Sequence, residues 1–279
     1  GQVVLIDAGA SYSRLDMGQA VVGPFLWDQG IRKIDHVIAT HPQWDHMGGL
    51  PWVIKKFPVG RYWSNGVTRE NAFFQRMQEA IQEAGLNEQV AWKGKEITRA
   101  GPCRLKVLNP PFAGISFPGV RNSFQGGSEL NNQSVVTELE CGAHSFLFTA
   151  DAEREALGRL IQMPHKPTAQ IVKVPHHGAK SSLNRKWINQ LHGKAAIISV
   201  GRYNRYGHPI PAVSEAYREK GIPIYRTDQD GAVWVTASLH SPELSIQTEQ
   251  EQLLKPVPIE RFPFGEEWKN LKRFLSSWI

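Results

Sequence analysis

Short runs of β-branched and other apolar residues alternate along the chain with segments of helical periodicity. In the first half, this pattern predicts buried strands at 3–7 and 36–40, helices at 48–57 and 68–84, and two strands within 94–109. A stretch rich in Gly, Pro and Ser at 110–128 is typical of a loop. Both of the first two strands end in polar residues, where α/β proteins often build their sites.

The second half continues the same alternation. Strands are predicted at 134–140, 145–149, 169–174, 195–200, 222–227 and 232–237, and helices at 152–163, 183–191 and 211–220. Hairpins flank the alternating part at both ends. The pattern therefore favours sheets packed face to face, with helices outside, over a purely parallel sheet.

The C-terminal part differs in character. From Lys255 onward, three prolines indicate extended chain. Four apolar residues then fall on one helical face: Trp268, Leu271, Leu275 and Trp278. We expect one domain at 1–248 and an extended tail with an amphipathic helix at 249–279. The apolar face is predicted to dock on the parent domain, and contact with a membrane or a partner is the alternative.

Composition sets broad limits. The 279 residues are 41% hydrophobic and 21% charged, which excludes disordered and collagen-like chains. Lys and Arg exceed Asp and Glu by 32 − 26 = 6, and this positive excess favours a polyanionic partner. No apolar run approaches the ~20 residues that cross a bilayer. Because the chain opens inside a predicted strand without a basic leader, we expect a piece of a longer polypeptide.

The chain holds two cysteines, Cys103 and Cys141. Two are too few for a disulfide framework or for a thiolate metal site. We therefore expect both to be small buried apolar residues in strands.

The most informative segment follows the predicted strand at 36–40. It supplies His41, Asp45 and His46 within six residues, and two glycines after them permit a tight turn into a helix. Imidazole and carboxylate groups at the carboxyl end of a strand suit a borderline divalent cation. The alternative is a structural turn histidine beside an N-capping Asp45.

Two more strands end in similar groups. Asp151 follows the strand at 145–149 directly before a helix, where it is either a ligand or an N-cap. The strand at 169–174 is followed by His176 and His177, whose rings point in different directions, so that one can bind metal while the other reaches substrate or a second metal. Three such strand ends predict a mononuclear or binuclear metal centre. The isolated histidines are predicted to be structural or on the surface: His36, His144, His165, His192 and His240.

The order of these residues resembles the metallo-β-lactamase superfamily, and more narrowly the soluble metallo-β-lactamase-like domain of the ComEC family of bacterial DNA-uptake channels. The narrower resemblance rests on motifs between residues 2 and 234: Leu5-Ile6-Asp7-Ala8-Gly9, Val107-Leu108-Asn109-Pro110-Pro111, Asn131-Asn132-Gln133-Ser134, Pro175-His176-His177-Gly178, Asn204-Arg205-Tyr206-Gly207-His208-Pro209 and Thr227-Asp228-Gln229-Asp230-Gly231. It implies a four-layer αβ/βα sandwich with a metal cleft between the two sheets.

The resemblance also implies a ligand set. The first metal would be held at His41 and position 43, the second by Asp45, His46 and one of the pair His176 and His177, with Asp151 as the bridge. This sequence departs from that pattern at three places: Gln43 replaces a histidine, Ala150 replaces a glycine, and Asn131 or Asn132 stands where a third histidine is usual. Oxygen-rich ligation moves the preference from Zn²⁺ toward Mn²⁺ and leaves open one or two ions.

The activity that the resemblance implies is that of a metal-dependent DNA nuclease in natural transformation. It would degrade the non-transforming strand outside the membrane, with single- or double-stranded DNA and the channel part of the parent polypeptide as partners and no nucleotide cofactor. Asp151 would position the hydroxide, and Lys180 and His208 are candidates for gripping the phosphate or protonating the leaving oxygen. Further substrate contacts are predicted at Trp44, Ser181, Asn204 and Arg205, although for Asn204 a role in shaping its turn is the favoured interpretation.

Basic residues and exposed aromatic residues together suit single strands. The candidates for such contacts are Lys55, Lys56, Arg61, Lys93, Lys95, Arg202, Arg205, Trp44, Trp63 and Tyr206. Two other functions stay open. Gln43 and the missing third histidine are also compatible with a non-catalytic DNA-binding and coupling module. A small-ester or thioester hydrolase is the third option, but it leaves the positive charge unexplained.

Overall fold

The smaller of two sheets contains four parallel strands, in the order β1 (Val4–Ile6), β2 (Ile34–Ile38), β3 (Val59–Ser64) and β4 (Glu88–Val90). The structure, a computed structural model, describes residues 1–111, 127–167 and 169–253. Because the strands are parallel, all their carboxyl ends lie at one edge of the sheet.

The larger sheet contains seven strands in the order β11-β10-β9-β8-β7-β6-β5. They are β5 (Glu96–Ala100), β6 (Cys103–Asn109), β7 (Val136–Cys141), β8 (His144–Phe148), β9 (Ile171–Lys173), β10 (Ala195–Ile198) and β11 (Ile224–Arg226). Neighbours from β5 to β8 are antiparallel, and neighbours from β8 to β11 are parallel. The parallel half therefore collects strand ends at one edge, as the smaller sheet does.

Helices connect the strands and lie mainly on the outer faces. Within the described residues they are α1 (Gly23–Asp28), α2 (Trp44–Met47), α3 (Leu50–Lys56), α4 (Ala72–Glu83), α5 (Gly127–Asn132), α6 (Arg154–Ile161), α7 (Arg185–Gln190), α8 (Pro211–Glu219), α9 (Thr227–Asp230) and α10 (Glu249–Leu253). A π-helical segment, Gly18–Val22, precedes α1. Two single 3₁₀ turns, Pro175–Gly178 and Lys180–Ser182, follow β9.

The two sheets and the helices outside them form four layers, with apolar side chains between neighbouring layers. Each sheet can contribute to two of these apolar regions, because alternate strand residues point to opposite faces. The outer face of the smaller sheet packs on α3 and α4. The outer face of the larger sheet packs on α6, α7 and α8. Between the sheets lie Ile38, Trp63, Ile97, Leu105 and Val107, all buried. The predicted four-layer α/β sandwich is confirmed.

Trp63 belongs to this inner layer, so its prediction as an exposed aromatic is wrong. Its side chain is 5% exposed, and its indole N–H donates to Nδ1 of His36 at 3.2 Å. His36 is thus a structural histidine, as expected. Period-2 alternation along β3 brings Trp63 inward together with the other residues of that face.

A hairpin of β12 (Val233–Ala237) and β13 (Leu244–Thr248) covers another part of the larger sheet. Apolar residues of the hairpin contact Phe146, Ile171 and Ala195, which lie on β8, β9 and β10. The hairpin therefore buries the apolar part of the larger sheet's inner face over its parallel strands.

Several elements were not expected from the sequence. The pattern missed the helical segment from Gly18 to Asp28 and the strands β3, β4 and β13. It also placed the start of α4 too early. The helix begins after Asn71, whose side chain accepts the backbone N–H of Phe74 at 2.8 Å and so caps the first turn.

Both cysteines lie in strands as predicted, but the expectation that they are simply buried apolar residues is wrong. Cys103 and Cys141 are partly exposed and form a disulfide between β6 and β7. The register of the two antiparallel strands places them directly opposite each other. A partner 38 residues away is set by strand pairing, which the sequence alone does not determine.

Residues 249–253 form α10 beside β13, where the sequence predicted the start of an extended tail. The predicted amphipathic helix with Trp268 lies outside the described residues, as does most of the loop predicted at 110–128. Within the described residues, no helix has the length and apolarity to cross a bilayer.

Candidate metal centre

Asp7 organises the edge of the smaller sheet. It directly follows β1, and its carboxylate accepts the backbone N–H and the hydroxyl of Thr40, both at 2.8 Å. Thr40 belongs to the turn that leaves β2, so Asp7 ties two neighbouring strand ends together. This role was not predicted, although the residue stands in a quoted motif.

Gly48 and Gly49 link α2 to α3, but they do not form the tight turn that the sequence predicted. Both have ordinary right-handed backbone angles rather than a tight-turn conformation. A Cβ on Gly48 would collide with the backbone N of Ser11, and one on Gly49 with the backbone N of Gly18. Glycine is therefore required for close approach of backbone segments, which brings α2 against the first loop.

Three imidazole rings are oriented by hydrogen bonds from their Nδ1 atoms. The acceptors are Thr40 Oγ1 for His41 (2.9 Å), Asp7 Oδ2 for His46 (2.8 Å) and the Ser199 carbonyl for His177 (2.6 Å). These partners accept a hydrogen bond from the Nδ1–H of each ring. In the neutral form of the ring, Nε2 therefore carries the lone pair. This is the arrangement in which proteins present histidines to metals.

The Nε2 atoms of His46 and His177 point toward Asp151, which follows β8, and a ligand atom of His41 lies within 4.8 Å of the Asp151 carboxylate. Nε2 of His46 lies 3.2 Å from Asp151 Oδ2, and Nε2 of His177 lies 3.6 Å from Oδ1. The Nε2 atoms of His46 and His177 are 3.3 Å apart, and the rings of His41 and His46 are 4.2 Å apart. In the part of the chain that the structure describes, donor atoms within 4.8 Å of one another form two groups: His41, His46 and Asp151, and Asp45, His46 and His177.

Unpartnered atoms in this cluster fit a cation. Nε2 of His41 and both carboxylate oxygens of Asp151 are buried, and none of them has a hydrogen-bond partner among the described residues. Such atoms are costly to bury unless something binds them. Imidazole nitrogen with carboxylate oxygen suits borderline divalent cations, Zn²⁺ and Mn²⁺ among them.

The pKa directions make two of the rings neutral and leave His46 charged beside Asp151, so a cation that binds His46 must displace its Nε2 proton. Burial is the main cause that lowers the pKa of His41 to about 3 and that of His177 to about 4, so both rings are neutral. Burial also disfavours a charged His46, but the carboxylates of Asp151 and Asp7 raise its pKa to about 10. For Asp151, burial opposes ionisation, yet the neighbouring His46 and His177 hold its pKa well below the ordinary value.

A lysine that was not predicted, Lys173, reaches this cluster. Lys173 Nζ lies 3.6 Å from Asp151 Oδ1 and donates to the Ala150 carbonyl at 2.8 Å. Lys180 is exposed in the 3₁₀ turn after the histidines. Lys173 shares the inward face of β9 with Ile171, so strand parity was the signal that could have identified it.

His176 is held by a different carboxylate. Its Nδ1 lies 3.0 Å from Glu153 Oε1 and 3.3 Å from the Ser181 hydroxyl, and its Nε2 lies 3.5 Å from Asp151 Oδ2. Burial opposes ionisation of Glu153, but hydrogen bonds from His176, Ser128 and neighbouring groups lower its pKa to about 2. Ser181, a predicted substrate contact, thus lies beside a histidine of the cluster.

An amide pair occupies the place that the resemblance assigns to the first metal. The Gln43 side-chain N–H donates to Asn131 Oδ1 at 2.7 Å, and the Asn131 amide donates to Glu153 at 2.9 Å. Asn132 instead donates to the Ser128 carbonyl and accepts the backbone N–H of Ala156. Of the two asparagines, it is therefore Asn131 that lies beside Gln43, whereas the Asn132 side chain is committed to the backbone near α6.

Four non-glycine residues with positive φ surround the cluster. They are Asp7 (57°), Ala150 (46°), His176 (47°) and His177 (52°). Each such conformation costs about 1–3 kcal/mol and persists where packing holds it. Backbone strain is thus concentrated at the strand ends that carry the cluster.

The loop from Gly201 to His208 borders the same region. Asn204 donates to the carbonyls of Gly201 (3.1 Å) and His208 (2.8 Å) and accepts the His208 N–H at 2.8 Å, so its side chain closes the loop. The His208 ring lies 5.9 Å from the His176 ring, and Arg205 is exposed. The side chain of Asn204, a predicted substrate contact, makes its hydrogen bonds within the loop itself.

The profile of the metallo-beta-lactamase superfamily matches residues 1–202. The chain belongs to the metallo-beta-lactamase superfamily. The edge where its two sheets present His41, His46, Asp151 and His177 is therefore the candidate metal site of this superfamily fold.

Curated relatives match most of this chain. ComE operon protein 3 of Bacillus subtilis is 32% identical over 241 residues, which are 82% of this chain and 29% of that protein. Competence protein ComA of Neisseria gonorrhoeae is 23% identical over 84% of this chain and 30% of its own length. The chain thus spans about a third of these relatives. Among solved structures, YhfI of Bacillus subtilis, a metallo-beta-lactamase fold protein, is 12% identical over 81% of this chain and 95% of its own, with a TM-score of 0.43.

Proposed function

We propose that this chain is a metal-dependent phosphodiesterase that cleaves DNA. The observation that carries the proposal is the grouping of His41, His46 and His177 around the buried Asp151 carboxylate, with each Nδ1 already hydrogen-bonded. The residues that would hold a divalent cation are His41, Asp45, His46, Asp151 and His177. Such a cation supplies the Lewis acidity that activates water and neutralises phosphoryl oxygens.

Other residues of the chain would prepare this site. Lys173 partly balances the charge of Asp151 and holds the Ala150 carbonyl, which fixes the turn that presents the carboxylate. Glu153 and Ser181 hold the ring of His176. Burial, followed by the charge of His176, lowers the pKa of His208. A neutral His208 suits hydrogen bonding to a phosphate better than protonation of the leaving oxygen.

The proposed setting is a DNA-uptake protein with this domain on the extracytoplasmic side. Two relatives are named for competence or the ComE operon, and this chain matches only part of each. The disulfide between Cys103 and Cys141 supports an oxidising compartment, since such bonds are rare in the cytosol. The net charge of +6 supports a polyanionic substrate.

A second candidate is a DNA-binding module without catalysis. The amide pair of Gln43 and Asn131 favours it, because two amides replace imidazole donors at the place where the resemblance puts the first metal. The two candidates bind the same substrate and differ only in whether DNA is cut.

The test is cleavage by protein stripped with chelator and then supplied with Mn²⁺, Zn²⁺ or Mg²⁺. Labelled single- and double-stranded DNA would be followed on gels. Cutting should appear with at least one metal and should disappear in Asp45→Ala and Asp151→Asn. Asp28→Asn, at an exposed carboxylate at the end of α1, is the matched control and should cut normally.

Binding of DNA without cutting under every metal would favour the module instead. Turnover of small esters without any DNA binding would contradict both candidates. Because Asp151 is buried, the partly exposed Asp45 provides the variant that is expected to fold normally.

A further inference from the structure

Two exposed aromatic residues meet beside the candidate metal centre. Tyr12 and Trp44 are 57% and 39% exposed, and their rings contact edge to face at 4.8 Å between centroids. Trp44 is the first residue of α2 and directly precedes Asp45 and His46. Single exposed aromatics are common on protein surfaces. A contacting pair at the entrance to a polar site is less common and indicates a binding surface.

A second aromatic group lies on the loop that Asn204 closes. Tyr206 is 70% exposed and stacks on His208, with centroids 5.7 Å apart and ring planes 19° apart. The His208 ring lies 5.9 Å from that of His176, whose Nε2 is 3.5 Å from Asp151. A series of rings therefore leads from the exposed Tyr206 to the buried carboxylate.

This loop is held firmly against the histidines. The backbone N–H of Ile210 donates to the Gly178 carbonyl at 3.0 Å, and Gly178 packs so closely on Pro209 that a Cβ there would lie 2.5 Å from the Pro209 side chain. The loop that carries Tyr206 is thus packed against the turn that holds the histidines. The exposed Tyr206 ring therefore has a defined position beside the cluster.

The two aromatic groups share one neighbourhood. Burial is the main cause that raises the pKa of Tyr12, and the charges of Asp45 and Tyr206 add to it while that of Arg205 opposes it. Geometry places both groups beside the same cluster. Trp44 directly precedes Asp45, which belongs to the donor group with His46 and His177, and the Tyr206 ring reaches His176 through His208.

We propose that Tyr12, Trp44 and Tyr206, together with Arg205, form a stacking platform for the unpaired bases of a DNA strand at the mouth of the metal centre. This inference rests on the proposed function and deepens it, because it names single strands as the substrate. Every base has a π face that can stack on an aromatic ring, and a nearby guanidinium adds cation–π and phosphate contacts. Bases in a duplex are stacked on one another, so a duplex offers these rings little.

Binding to metal-stripped protein tests the platform separately from cleavage. The probes are a labelled deoxythymidine oligonucleotide of about 12 nucleotides, an abasic strand of the same length and a duplex, measured by fluorescence anisotropy. The thymidine strand should bind more tightly than both other probes. Trp44→Ala and Tyr206→Ala should each weaken its binding by about 5- to 150-fold, the range expected for one base–aromatic stack, and should leave binding of the abasic strand nearly unchanged.

Phe25→Ala is the matched control, since Phe25 is a comparably exposed aromatic on α1, outside this group. Arg205→Ala should weaken the thymidine and abasic strands together, because it removes a phosphate contact from both. Equal binding of thymidine and abasic strands by the wild type, tighter binding of duplex, or no DNA binding at all would overturn the platform. If the platform binds as expected but no metal supports cutting, only the nuclease proposal fails.

Discussion

Asp7 holds three groups of the candidate site at once: the Thr40 amide, the Thr40 hydroxyl and Nδ1 of His46. In Asp7→Asn, one oxygen becomes an N–H donor, so that either the Thr40 contacts or the orientation of His46 must change. Loss of such an outer partner typically weakens metal affinity about 10- to 100-fold. Titration calorimetry with Mn²⁺ or Zn²⁺ would measure this. Asp35→Asn, whose carboxylate accepts the Val3 N–H on the same sheet, should bind metal normally. Equal affinity in both variants would contradict the role given to Asp7.

Ala150 tests the strain at the site. Its φ of 46° costs an L-residue about 1–2 kcal/mol, which is near the ~0.5–1 kcal/mol of extra chain entropy that glycine loses on folding. Ala150→Gly should therefore stay within about 1 kcal/mol of the parent in free energy of unfolding. Ala150→Val should lose clearly more, because a β-branched residue tolerates positive φ poorly. Urea denaturation measures both. A valine variant as stable as the glycine variant would show that this backbone is not strained.

At the scale of elements, close backbone approach positions α2 and α3. A Cβ on Gly49 would collide with Gly18 and lie 2.5 Å from the Ala8 carbonyl oxygen. Both neighbours are backbone and cannot rotate away, so Gly49→Ala should destabilise the fold by about 1–3 kcal/mol, as overpacking does. Gly158→Ala is the matched control, because Gly158 lies inside α6 with open space around it and should gain up to about 1 kcal/mol. Thermal melts of the two variants should shift in opposite directions.

Elements whose residues alternate clearly were predictable from the sequence. β2 and β8 finish in apolar residues that polar groups follow, so the sequence placed His41 and Asp151 at strand ends, and the structure brings them together with His46 and His177. The partners of these residues were predictable only in part. Strand parity along β9 could have indicated Lys173, whereas Glu153 reaches the cluster through the packing of distant elements, which local periodicity does not encode.

At the scale of the whole molecule, the disulfide joins two antiparallel strands of the larger sheet. The Cys103–Cys141 bond closes a loop of 38 residues, for which the chain-entropy account expects a contribution of about 2–4 kcal/mol. Reductant should therefore lower the denaturation midpoint of the parent. The double variant Cys103→Ala/Cys141→Ala should melt near the reduced parent and should not respond to reductant. A parent that melts identically with and without reductant would contradict a stabilising role.

The four-layer arrangement explains why one face of the molecule carries the chemistry. Parallel strands of both sheets end at one edge, and the connections that follow them supply Asp7, His41, Asp151 and His177. Fold class followed from the order of strands and helices. The meeting of two sheet edges depends on how the layers stack, and that is a property of the assembled core rather than of any single segment.

His46 limits how many cations this edge can accept. Its Nδ1 proton is engaged by Asp7, which leaves a single lone pair on Nε2, yet both donor groups include this residue. One lone pair makes one coordinate bond, so the two groups compete for the same nitrogen. A cation that takes this nitrogen in one group should therefore leave the other group one donor short, so calorimetric titration with Mn²⁺ or Zn²⁺ should show one tight equivalent before any weaker binding. Two equivalents of equal affinity would contradict this competition.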